Sequence, residues 1–170
     1  MKHTPSRRQV TDRFGTIRKS WCGPYALAVV AGKTYEFAYQ MLKQIRGKRH
    51  ACGVSNRNMK KAFDILGLNA KFVEAEERCN LRKYIDNYLA PNKLYLINIT
   101  KHYIVVDTRD HTTIDNQNPD WISIDNSKHL RRLVQNVAEI KNPAIEPLHQ
   151  NAEFNLSLIH ISEPTRQKPI

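Results

Sequence analysis

What the 170-residue chain lacks narrows its chemistry. No stretch approaches ~18 consecutive apolar residues, so no membrane span is expected. The start, Met1-Lys2-His3-Thr4-Pro5-Ser6-Arg7-Arg8, has no apolar core of a secretory signal. Three cysteines are too few for a disulfide framework. With no signal, a reducing cytoplasm is the expected setting, that of the host cell if the chain is phage-encoded. The six glycines nowhere gather into a phosphate loop or a dinucleotide fingerprint. His50 and Cys52 have no second ligand pair at zinc-site spacing, and neither a metal nor an organic cofactor is expected. Repeats and low-complexity tracts are absent, and the length suits one domain. Acidic residues are scarce: 16 Asp+Glu stand against 27 Lys+Arg, a formal charge of +11. That excess permits contact with nucleic acid or an acidic partner without identifying one.

The two ends separate from the body. Residues 1–15 read as a basic arm, with Lys2, Arg7, Arg8 and Arg13 against Asp12. Residues 156–170 are set aside for another reason. Leu156-Ser157-Leu158-Ile159-His160-Ile161-Ser162-Glu163-Pro164-Thr165-Arg166 matches one reading frame of a transposase-type sequencing adapter. Native sequence is therefore expected to stop near Asn155, in a chain drawn from an assembled metagenomic or phage contig. Residues 16–155 remain as the domain.

Within it, Trp21-Cys22-Gly23-Pro24 leads into an apolar run, Tyr25 to Ala31, closed by Gly32. A buried helix with Pro24 in its first turn is predicted. Thr34 and Ser55 are placed to cap helices over Tyr35–Ile45 and Asn56–Leu66, the latter stopped by Gly67. Asn69–Ala75 alternates like a strand, and Asn80–Leu89 reads as a short helix. Leu94–Thr100, His102–Asp107, Thr112–Asp115 and Trp121–Ile124 read as strands. A last helix is predicted from Ser127 to just before Asn142-Pro143. Helices first and then a largely antiparallel sheet make the class α+β.

Cys22 stands where a loop meets a helix N-terminus, and the unpaired N–H groups there favour a thiolate. His102 opens an apolar strand, with Ile104 and Val106 following on its face. Imidazole supplies such a thiolate with both a base and a charge partner. A third group should orient the ring. A two-residue turn at Arg109-Asp110 sets Asp115 opposite Ile104, diagonal to His102. A three-residue turn sets Asn116 there instead, and a one-residue slip exchanges the two.

Trp21-Cys22-Gly23-Pro24-Tyr25-Ala26-Leu27-Ala28, His102-Tyr103-Ile104-Val105-Val106 and Asp115-Asn116 together resemble the papain-like cysteine peptidase superfamily. The texture is closest to double-glycine leader peptidase-like domains and related uncharacterised phage proteins. The resemblance covers about residues 15–125. It implies a papain-like fold, a helical half carrying the Cys against a sheet half carrying the His. It also implies a hydrolase acting on a peptide or protein, with Cys22 as nucleophile, His102 as base and Asp115 or Asn116 as the orienting residue. One feature departs from the family. The Gln that usually precedes the Cys and completes the oxyanion hole is absent from Thr16-Ile17-Arg18-Lys19-Ser20-Trp21, leaving Thr16, Arg18 or Ser20 as substitute donors.

Two other readings are carried. One is an inactive or weak papain-like module that binds a peptide or protein. The other is a basic nucleic-acid-associated phage protein using Lys43, Arg46, Lys48, Arg49, Arg57, Lys60 and Lys61.

Overall fold

Local chemistry sets the helices. In the computed structural model, which describes residues 2–5, 10–11, 17–18 and 21–143, helix α1 spans Cys22–Ala31 and is buried from Gly23 onward. It ends at Gly32, whose left-handed φ of 61° a residue with a Cβ adopts only at a cost. Helix α2, Tyr35–Arg46, is capped by Thr34, whose side chain accepts from the Phe37 N–H. Helix α3, Asn56–Leu66, is capped in the same way by Ser55. Helix α4, Leu81–Tyr88, is capped by Asn80. Each of these caps satisfies one of the N–H groups that a helix start leaves unpaired.

The strands are β1 (Val10–Thr11), β2 (Ile17–Arg18), β3 (Phe72–Glu74), β4 (Leu94–Ile99), β5 (His102–Asp107), β6 (Thr112–Ile114), β7 (Ile122–Ser123) and β8 (Val134–Ile140). β1, inside the segment read as a basic arm, and β2, just beyond it, form a small antiparallel pair of their own. The other six make one antiparallel sheet in the order β3-β8-β4-β5-β6-β7. The class is α+β.

Strand alternation sorts the core into two layers. Leu94, Leu96, Tyr103, Val105, Ile114 and Ala138 face α1, α2 and α3. Tyr95, Ile97, Ile99, Ile104, Val106 and Val137 face α4 and the segment around Ile124 and Leu130.

The C-terminal prediction is corrected. Where a helix from Ser127 was expected, a 3-10 turn covers Ile124–Asn126 and β8 follows. Two physical causes hid this strand. Both of its faces contribute to the core, Ala138 to one layer and Val137 to the other, so the polar–apolar alternation is lost. A bulge opposite Asn98/Ile99 also shifts the register. It brings Val134 and Val137 onto one face, and with Ala138 they mimic the i, i+3, i+4 spacing of a helix.

Candidate active site

The β5–β6 hairpin fixes the first half of the site. Val105 pairs with Ile114, Val106 with Thr113 and Asp107 with Thr112, the register centred on Arg109-Asp110. β6 then stops at Ile114, and the chain turns. Beyond that point the outer edge of β5, at His102 and Tyr103, has no strand beside it. The N-terminus of α1 lies against this open edge. The sulfur of Cys22 lies beside the His102 side chain and the backbone N–H groups of Tyr103 and Gly23, all of which favour its thiolate.

Asp115 is the next link. His102 Nε2 donates to Asp115 Oδ2 at 2.8 Å, which leaves Nδ1 for the sulfur. The other carboxylate oxygen, Oδ1, accepts from the backbone N–H groups of Gln117 at 2.9 Å and Asn118 at 2.6 Å. The turn after β6 thus clamps the carboxylate, as Asp side chains do when they bond their own backbone two and three residues on. Of the two orienting candidates, Asp115 accepts from His102, and Asn116 falls beyond this contact. His102 and Asp115 are buried, and Cys22 is half-buried.

Burial works against every charge here, and the hydrogen bonds outweigh it. It would raise the Cys22 thiol, but the bonds from His102 and Tyr103 bring it below its ordinary value. It would lower His102, but Asp115 and Cys22 push its imidazole up to about 9. Asp115, also buried, is held well below the usual carboxylate range by His102, His129 and the Asn118 N–H. The three groups therefore favour a thiolate–imidazolium pair backed by a carboxylate.

The start of α1 suits a developing negative charge. Trp21, its N-cap, provides no side-chain cap bond. The Trp21 N–H itself donates to the Tyr35 hydroxyl at 2.9 Å. That leaves the N–H groups of the first helical residues directed at the sulfur and the space before it. Gly23 follows the nucleophile directly. Its open side faces Val54, where an added Cβ would meet Val54 Cγ2 at 3.0 Å. The loop before α3 is thus pressed onto the nucleophile's helix. Of the proposed substitute oxyanion donors, the side chains of Thr16, Arg18 and Ser20 lie outside the described residues.

His129 is the group that sequence reading missed. Its Nε2 lies 2.5 Å from the same Asp115 Oδ2, and it is 1 % exposed. The only available signal was Ser127-Lys128-His129 just after a strand, and the false helix absorbed it. His102, Asp115 and His129 also have the composition of a metal site, their ligand atoms all within 4.8 Å of one another. The surrounding donors do not suit one. Metal-bound imidazoles normally anchor their second nitrogen on an oxygen, whereas His129 Nδ1 has no hydrogen-bond partner among the described residues and His102 Nδ1 faces a thiol.

The basic stretch is partly internal. Arg46 donates to the carbonyls of His50 and Cys52, and Lys60 pairs with Asp64 at 2.6 Å. Lys48, Arg49, Arg57 and Lys61 are exposed. No helix among the described residues is long and apolar enough to cross a membrane. No family model, curated protein or solved structure matches this chain.

Proposed function

We propose that the chain is a papain-like cysteine peptidase or a related amide hydrolase acting on a peptide or protein. The observation that carries this reading is that Cys22 neighbours the His102 imidazole, whose far nitrogen is held by Asp115 at 2.8 Å. Such an ordered set at an uncapped helix start has a direct use in acyl transfer.

The Cys22 thiolate attacks the scissile carbonyl carbon, and the carbonyl π electrons move onto oxygen. The Cys22 backbone N–H at the head of α1 donates to that oxyanion. As the tetrahedral intermediate collapses, the C–N bond breaks and the His102 imidazolium gives its proton to the leaving amine. An acyl-thioester on Cys22 remains. Neutral His102 then takes a proton from water, whose oxygen attacks the thioester. The second collapse frees the acid and restores the thiolate–imidazolium pair. Asp115 keeps Nε2 protonated and the ring in plane throughout.

The test is incubation with a mixed peptide library followed by mass spectrometry. New termini that are absent with Cys22→Ala support the hydrolase reading. Identical spectra for the two proteins overturn it in favour of a binding module.

A further inference from the structure

The Cys–His–Asp chemistry requires only three side chains, yet four are joined here. We propose that His129 is a positioning residue of this site: its imidazole donates Nε2–H to Asp115 Oδ2 and so shares the oxygen that would otherwise hold His102 alone. This inference rests on the hydrolase reading of Cys22 and His102.

Three observations carry it. The Nε2 atoms of His102 and His129 converge on one carboxylate oxygen, at 2.8 Å and 2.5 Å. The two rings lie with centroids 4.7 Å apart, and His129 is almost fully enclosed. Third, His129 Nδ1 is buried with no hydrogen-bond partner among the described residues. The void that His129 lines with Thr113, Asp115 and Ser127 is too small for a water molecule.

That missing partner assigns the tautomer. A proton on Nδ1 would be a buried donor with no acceptor, and the Nε2 lone pair would then face a carboxylate. A proton on Nε2 avoids both faults. A proton on both nitrogens would again orphan the Nδ1–H. The ionisable groups that face the ring are Asp115 and His102, with Cys22 behind His102. Lys128, Arg131 and Arg132 of its own segment are exposed. From α4, Arg82 turns its guanidinium to Asp86 and Asp125.

An oxygen that accepts two donors pulls less on each. Without the donor from His129, the carboxylate would act on His102 alone and hold its proton more tightly. His102 would then be a poorer acid toward the leaving amine. Mere loosening of the site has the opposite sign, because a displaced Asp115 would release the proton sooner.

The experiment follows the histidine rings of the full chain by ¹⁵N NMR across a pH titration, in the wild type, His129→Phe and His129→Gln. The expected result is an Nε2–H tautomer for His129 in the wild type, unchanged as His102 titrates near 9. His129→Phe should move the His102 midpoint up by about one pH unit. It should also lower kcat about tenfold with KM unchanged. His129→Gln, which keeps an N–H donor, should restore both. An Nδ1–H tautomer in the wild type overturns the proposal even if the Phe variant fails to fold. So does a His102 midpoint that stays or falls in a folded Phe variant. Failure of the hydrolase reading shows separately, as absent peptide cleavage with the ring titrations intact.

Discussion

Cys22 and Cys79 both stand where a helix begins, yet their thiols are driven in opposite directions. Cys79 precedes the Asn80 cap of α4, and burial together with the nearby Glu77 carboxylate pushes it up. Cys22 opens α1, and it is brought down although burial opposes that too. Two local differences explain the contrast. The N–H groups at the start of α4 are partly used by Asn80, whereas α1 has no side-chain cap. More importantly, Cys22 has an imidazole partner and Cys79 has a carboxylate neighbour. A helix start is thus not enough to activate a thiol. The strand edge left open by the short β6 is what lets His102 reach the sulfur.

The largest way to break this contrast is at the sulfur itself. Cys22→Ser should abolish peptide cleavage, whereas Cys79→Ala should leave it near wild type, as read by product mass spectrometry. Next, His102→Ala should raise the Cys22 titration into the ordinary thiol range and cut turnover by about 10²–10⁴-fold. Steady-state rates and thiol titration check the two effects together.

Asp115→Asn sharpens the comparison further. An Asn oxygen can still accept from His102, but its NH₂ would then face the N–H groups of Gln117 and Asn118. With the negative charge gone as well, the His102 midpoint should fall from about 9 toward its ordinary value. NMR of the ring reads this directly. The wild-type pH profile follows from the same shifts. Activity should rise as Cys22 ionises below its ordinary range, and fall as His102 loses its proton near 9. The linked stability has the same sense. Because the folded value of His102 is raised, its contribution is complete below ~6.5 and lost as pH climbs through about 9. Thermal melts across that range should show the decline.

The smallest effect is expected at Gly23→Ala. The new methyl would press on Val54, destabilising the chain by about 1–3 kcal/mol and lowering activity modestly.

Much of this arrangement was legible in the residues. Thr34 and Ser55 announced α2 and α3 because capping is a local interaction. The hairpin was legible but its register stayed open between two turns, and the observed pairing with the His102 contact selects Asp115 over Asn116. What stayed hidden was non-local. β8 earned its place from two strands far away in sequence, and its bulge disguised its period. His129 was lost with it, since its partner is fourteen positions upstream on the far side of two turns. Nor did the sequence show that Val54, from the loop before α3, packs against Gly23.

The most direct measurement is the ultraviolet thiolate titration of a chain in which Cys52 and Cys79 are replaced by Ala, so that only Cys22 absorbs. The account predicts a thiolate step below the ordinary ~8.5 that moves up into that range in His102→Ala. A Cys22 that titrates at its ordinary value, with or without the imidazole, would contradict it.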